Sequence, residues 1–302
     1  MLKSQHQSII RSVAVWNRDV DRDTFSLSDS IDAEATPDVE DLVTCIQSEK
    51  SCGILHQDYA PIDNQPDEEV RAAIGIPVIK SGNVESVLVL TVECSPSIAG
   101  AIEVWERDSG RDELGLRGAV FSNLRRFAGI SQFVKFPRGS GLPGRCWEDR
   151  EVKLVDRLGS SLDFMRAAGA RAAGLDVGAA LPIMASEHSL KSVLLILSSD
   201  TAPIARAFEV WDVNEGDESI SLRTQTHTDC PNFAKSANEL ACSQGEGIVG
   251  AAWSSGLPVL CSNFAEVDPK RSIAADADGI TSGVSLPIFV GERLKSVFVM
   301  FN

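Results

Sequence analysis

The chain has no apolar run approaching the roughly 18–20 residues that a membrane-spanning helix needs. Its first residues, MLKSQHQSII, contain neither an apolar core nor a small-residue cleavage site, so no secretory leader is expected. Cysteines are few, odd in number and scattered (Cys45, Cys52, Cys94, Cys146, Cys230, Cys242, Cys261), and no CxxC occurs. That argues against a disulfide framework or a structural zinc site and for reduced thiols in the cytoplasm. Only 4 histidines are present, with no two at metal-ligand spacing on one element. Basic residues are scarce too: 28 Lys and Arg stand against 43 Asp and Glu, a net charge of −15. Nucleic acid and anionic membranes are therefore not expected as partners of the whole body. A content of 43% hydrophobic and 24% charged residues over 302 positions is that of a globular chain with two or three domains.

The chain repeats itself. SVAVWNRDVDRDTFSL from Ser12, GAIEVWERDSGRDELGL from Gly100 and RAFEVWDVNEGDESISL from Arg206 each read as an apolar strand ending in tryptophan (Trp16, Trp105, Trp211), an acidic turn and an alternating strand. That is a β-hairpin pattern. Three further segments, IGIPVIKSGNVESVLVLTV, ALPIMASEHSLKSVLLIL and SLPIFVGERLKSVFVMF, each give a strand with an early proline, a polar turn, then Ser-Val and an apolar run. Pro77, Pro182 and Pro287 follow at intervals of 105 residues. An unbroken apolar run predicts a strand buried on both faces at the centre of a sheet. The second and third copies also share GSGLPGRCWEDREVKLVD and GEGIVGAAWSSGLPVLCSN, with Gly139, Gly144 and Trp147 in register with Gly245, Gly250 and Trp253. The first copy has DLVTCIQSEKSCGILHQDY there, without the glycines or the tryptophan, and is read as degenerate.

These residues resemble GAF domains. The resemblance rests on the helix-leading GxGxxGxxW segment, the short apolar strand after it (Lys153–Val155, Val259–Cys261), a variable helical stretch, the proline strand and the Ser-Val final strand. It covers copies two and three almost fully and copy one only at its ends. It implies an α+β fold of three GAF-like, PAS-related domains, 1–97, 98–203 and 204–302, each a central antiparallel sheet with flanking helices around a small-molecule pocket. The links CSPSIAG and SSDTAPIA are too short for an ordinary helix, and the chain stops at Asn302 after the last strand, so the family's usual signalling helices are expected to be absent. Adjacent sheets are expected to form a compact array. Whether each final strand pairs within its own copy or with the first strand of the next is open.

Both glycine segments match GxGxxG, but Pro or polar residues precede them and the implied sheet is antiparallel, so a dinucleotide site is not expected. The glycines read as a structural turn into a helix. Where methionine-sulfoxide-reducing members of the family carry a cysteine, this chain has Pro143 and Val249; no Cys-His pair offers a chromophore attachment, and the cyclic-nucleotide pattern is missing. Asp19, Asp21 and Asp23 lack the spacing of an EF-hand and read as a solvated turn, so no metal is expected. No cofactor and no enzymatic activity are expected either.

Charge is uneven. Residues 1–99 hold 7 basic and 17 acidic groups (−10), 100–205 hold 14 and 13 (+1), and 206–302 hold 7 and 13 (−6). The middle third stands out for Arg125, Arg126, Arg138, Arg145, Arg150, Arg157, Arg166 and Arg171. These read either as a site for an anion, which guanidinium grips bidentately, or as partners of the acidic neighbouring copies. The candidate ligand-binding residues are Arg145, Trp147, Arg166, Arg171, Trp253, Cys261 and Ser285. Two roles stand side by side: a non-catalytic regulatory or sensory module that binds a small molecule (anionic if in copy two) or a protein partner, and a pure interaction or dimerisation scaffold whose pockets are filled by its own side chains.

Overall fold

Each apolar segment that ends in tryptophan forms the inner arm of a β-hairpin. The structure is a computed structural model and describes residues 8–33, 37–57, 71–94, 97–107, 110–214 and 219–302. The N-terminal stretch 1–7, part of the CSPSIAG link (95–96) and the tips of two acidic turns (108–109 and 215–218) lie outside the described residues.

The first third holds β1 (Ile10–Asp19), β2 (Thr24–Ile31), α1 (Pro37–Glu49), β3 (Gly53–Gln57), β4 (Arg71–Lys80) and β5 (Asn83–Glu93). In the second are β6 (Gly100–Arg107), β7 (Glu113–Ser122), α2 (Arg125–Ser131), β8 (Lys135–Pro137), α3 (Gly141–Asp149), β9 (Lys153–Val155), α4 (Ala167–Ala173), β10 (Leu175–Ser186) and β11 (Ser189–Ser199). The third has β12 (Ala207–Val213), β13 (Ile220–His227), α5 (Pro231–Glu239), α6 (Gly247–Ser255), β14 (Val259–Cys261), α7 (Phe264–Val267), α8 (Ser272–Asp278), β15 (Gly283–Val290) and β16 (Arg293–Phe301).

Three sheets form, with one strand order: β2-β1-β5-β4-β3, then β7-β6-β11-β10-β9 with β8 added beyond β7, then β13-β12-β16-β15-β14. Every pairing is antiparallel. Each tryptophan strand pairs with the final strand of its own third: Trp16 lies opposite Val87, Trp105 opposite Val193 and Trp211 opposite Val297. Among the described residues no strand is shared between thirds. The final strands β5, β11 and β16 are central, and their apolar runs are buried on both faces.

The prolines sit where the ladder does not need a donor. The short edge strands stop pairing at Gly75, Ala180 and Ser285, two residues before Pro77, Pro182 and Pro287. A proline there breaks no bond to the edge strand, because that strand has ended.

The second buried face of each sheet is covered by the other two sheets. Strands β4, β10 and β15 touch one another, and each short edge strand touches the outer hairpin arm of another third: β3 with β7, β9 with β13, β14 with β2. The cycle closes on itself as a pseudo-threefold ring. Ile76 and Val78, Leu181 and Ile183, and Leu286 and Ile288 belong to one buried cluster that spans all three sheets. Polar bonds fasten the seams. Ser51 Oγ donates to Glu106 Oε1 at 2.6 Å and the Cys52 amide donates to Ser192 Oγ at 3.3 Å. Arg223 donates to Glu151 Oε2 at 3.1 Å and to the Val152 carbonyl at 2.5 Å. The Ser81 amide donates to the Gly291 carbonyl at 3.1 Å.

Because all three sheets bury one shared face, they should unfold together. Ile183→Ala, a cavity at the shared face, should remove about 2–5 kcal/mol from the single denaturation transition. Circular dichroism and tryptophan fluorescence should report coincident midpoints; separate transitions for the thirds would contradict the closed arrangement.

Candidate functional site

The first face of each sheet is covered by its own helices. In the second sheet Ala101, Glu103 and Trp105 of β6 face the helices, since residues two apart share a face. Glu103 is fully buried. A buried carboxylate demands a partner, and Arg166, just before α4, supplies it: Nη1 donates to Oε1 at 2.6 Å and Nη2 to Oε2 at 2.8 Å. Trp105 Nε1 donates to Oε2 at 2.9 Å, and Arg166 Nη1 donates to Ser131 Oγ at the end of α2 at 2.5 Å. The guanidinium lies 4.6 Å from the Phe127 ring centre, 5.3 Å from Phe164 and 5.4 Å from Trp105.

The third sheet repeats the arrangement. Glu209 is paired by Arg271 Nη2 at 2.7 Å and Nη1 at 3.0 Å, and Trp211 Nε1 donates to it at 3.0 Å. His227 Nε2 lies 3.3 Å from Oε1, Arg271 Nε donates to Ser236 Oγ at 3.1 Å, and the guanidinium stacks 3.7 Å from the Phe233 ring centre. Burial alone would push the Glu209 carboxyl up; the Arg271 guanidinium and then His227 overcome it and hold the group below its ordinary 4.5. In the first sheet Ala14 stands where the other two carry glutamate, and Trp16 Nε1 is buried with no hydrogen-bond partner among the described residues. There α1 lies directly on the sheet: a Cβ at Gly75 would meet Ile46 Cδ1 at 2.1 Å.

The two GxGxxG segments are turns into α3 and α6. Gly139 and Gly245 have φ of +78° and +77°, and a Cβ at Gly144 or Gly250 would stand 2.2 Å or 2.0 Å from a backbone carbonyl oxygen. Their function is close helix approach.

Of the seven candidate residues, Arg166 forms the ion pair just described, and Trp147 belongs to the same buried cluster as Trp105, Phe127 and Phe164. Arg145 is exposed and pairs with Asp163 at 2.5 Å. The Trp147 ring is buried, with Arg107 and Arg138 over it at 5.2 and 5.8 Å. Arg171 is exposed and donates to the Gly159 carbonyl. Trp253 is buried on α6, and Ser285 Oγ donates to the carbonyls of Ile248 (3.0 Å) and Val259 (3.4 Å). Cys261 ends β14, fully buried. Arg145, Arg157 and Arg166 pair with Asp163, Asp156 and Glu103 of their own third, so the reading of the middle-third arginines as partners of neighbouring copies is corrected for these three. Desolvation is the first cause that pushes every thiol up: Cys52 and Cys261 to about 12, Cys94, Cys230 and Cys242 to about 11, Cys45 and Cys146 in the same direction. None is poised as a thiolate at neutral pH.

None of the seven residues lines either of two cavities found among the described residues. One, of about 10 Å³, lies beside α6 against the buried Asp268 and has room for a single water-sized group. The other is an open groove of about 790 Å³ between the first and third sheets. Arg206 reaches its wall with its guanidinium bound to the carbonyls of Asp278 (2.7 Å) and Asp229 (2.7 Å) and its Nε unpartnered among the described residues. The sequence reading missed Glu103, Glu209 and Arg271. The signal was a glutamate inside an otherwise apolar strand, two residues before tryptophan, in both later copies.

No family model and no curated protein matches the chain. Among solved structures, the A. aeolicus nlh2 GAF domain in an inactive state is 15% identical with a TM-score of 0.27, covering 34% of this chain and 58% of its own. The free methionine-R-sulfoxide reductase from Neisseria meningitidis, solved with its substrate, is 17% identical with a TM-score of 0.26, covering 32% of this chain and 51% of its own. A Staphylococcus aureus NreA protein mutated in its nitrate-binding site is 16% identical with a TM-score of 0.28, covering 36% of this chain and 80% of its own. The chain thus spans little more than half the length of the first two. Several of the neighbours are GAF domains, and each match takes in about a third of this chain.

Two predictions follow the geometry of the pairs. Trp105→Phe and Trp211→Phe each strip a donor from a buried carboxylate, whereas Trp16→Phe removes a donor that has no partner; the first two should cost about 1.5–3 kcal/mol more than the third in chemical denaturation. Because Glu209 is held below its ordinary value when folded, its stabilisation is present above the unfolded pKa and lost as pH falls through the folded one. Glu209→Gln should therefore flatten the fall in stability between about pH 5 and 3 relative to the unaltered chain, and an unchanged slope would show that the pair does not titrate with folding.

Proposed function

We propose that the chain is a non-catalytic regulatory module of three GAF-like domains, 1–97, 98–203 and 204–302, that works by binding a protein partner at its outer surface. The observation that carries this is the occupation of the two intact interiors by the chain's own side chains. The Arg166–Glu103 and Arg271–Glu209 pairs fill the space between each sheet and its helices, each with an aromatic surround. The raised thiols support the non-catalytic part of the reading, and the continuous ring of sheets supports a rigid platform in place of a hinged sensor.

A second reading, binding of a small anionic molecule, is favoured by the groove between the first and third sheets. Its volume of about 790 Å³ is in the range of ligand sites, and Arg206 brings a cation that only backbone carbonyls meet among the described residues.

Native mass spectrometry separates these. The surface-binding reading expects the mass of the bare chain and no thermal stabilisation by a panel of carboxylates and phosphates. A co-purified molecule released by Arg206→Ala would establish the groove instead. One released by Glu103→Gln would place a ligand in the interior and overturn the proposal.

A further inference from the structure

We propose that the outer face of α2 and of the segment before α4 is a docking surface for an acidic amphipathic helix of a partner protein; this rests on the surface-binding reading above. Of the seven large apolar side chains exposed among the described residues, four lie here: Ile130 (49% exposed), Phe133 (84%), Leu162 (102%) and Met165 (56%). The buried pair brings together the two segments that carry them. Ile130 precedes Ser131 and Met165 precedes Arg166, and Arg166 Nη1 donates to Ser131 Oγ, so one hydrogen bond ties the two apolar pairs at their base. Ile130 Cδ1 also reaches the space over Gly169 of α4. Leaving such a cluster in water forgoes burial that a partner would recover.

The charge beside the cluster selects the partner. Arg125 and Arg126 open α2, are exposed, and have no ion-pair partner among the described residues. Two exposed guanidiniums without a counter-ion among the described residues favour a partner that brings carboxylates. The third sheet serves as an internal control. Phe233 and Arg271 hold the places of Phe127 and Arg166, yet Ser236, Glu239 and Lys270 stand where Ile130, Phe133 and Met165 do, and Pro231 and Asn232 replace the two arginines. The same scaffold folds with three of the four apolar positions polar, only Val267 keeping the place of Leu162, so the apolar, cationic face of the second sheet is not a requirement of the fold. A helix with apolar residues at i, i+3 or i+4, and i+7, flanked by glutamates, matches both features. An anionic bilayer is a poorer match: it is an extended negative plane, and the flanking thirds, at −10 and −6, would meet it as well.

The probes are a fluorescent peptide of about 20 residues with leucine on one helical face and glutamate on its borders, and the same peptide with lysine for glutamate. Anisotropy titrations use the full chain. The glutamate peptide should bind saturably, more weakly at high salt. Phe133→Glu with Leu162→Glu should weaken it at least about tenfold. Arg125→Glu with Arg126→Glu should remove most of the salt dependence, and Ile273→Glu, at an exposed apolar position of the third sheet, should leave binding unchanged. Circular dichroism confirms that each variant is folded. No saturation at millimolar peptide, equal binding of the lysine peptide, or indifference to the Phe133 and Leu162 changes would overturn the proposal. So would a face that instead mediates vesicle binding with phosphatidylserine, or self-association of the chain in light scattering. A bare mass in the native spectrum alongside such a failure would leave the surface-binding reading standing and remove only this site.

Discussion

Everything in this molecule is constrained by the burial of three sheets on one another through β4, β10 and β15. An antiparallel sheet usually covers one face and wets the other. Here the second face is also buried, and that explains the unbroken apolar runs of β5, β11 and β16, which are costly to expose and useless in a sheet with a wet face. The edge strands are handled by the same packing. Each short edge strand is capped by a hairpin from another third, so the exposed donors and acceptors that invite aggregation are covered as the ring closes. A repeated head-to-tail contact either closes or propagates, and three units within one chain close it.

With the shared face filled, the remaining freedom lies between each sheet and its own helices. There the second and third sheets place an ion pair, and the first places the apolar face of a helix. Burying a guanidinium and a carboxylate is not by itself a strong source of stability, because desolvation consumes most of the attraction. Its consequence is occupancy and order: two side chains from elements about 60 residues apart are locked in one geometry, with tryptophan, serine and aromatic faces completing the shell. Removing one member strands the other, so the interior opens only at the expense of an unpaired buried charge.

Much of the fold was legible in the sequence because periodicity, prolines and tryptophans recur in phase. The short strands at Lys153–Val155 and Val259–Cys261 stand where the motif put them, and Pro77, Pro182 and Pro287 mark equivalent strands. The pairing of final strands within each third was not legible, since both arrangements satisfy the same apolar pattern; the Trp16–Val87 and Trp105–Val193 registers decide it. The site was harder still. Arg166 was visible as one of many arginines, but its partner Glu103 sits in what reads as an apolar strand, and Arg271 lies in a stretch with no repeat signature. A contact across about 60 residues between a constant strand and a variable loop leaves no local pattern. The glutamate two residues before Trp105 and Trp211, absent before Trp16, was the one clue that a buried charge had to be answered.

Both intact interiors are closed by their own ion pairs in the native state. Hydrogen exchange at the indole Nε1 of Trp105 and Trp211, followed by nuclear magnetic resonance, reads this directly because both protons point into the paired carboxylates. Both should exchange only through global unfolding, with a protection free energy equal to that from denaturant titration. Exchange through local opening, well short of that free energy and insensitive to mild denaturant, would show that the interiors are accessible and contradict their closure.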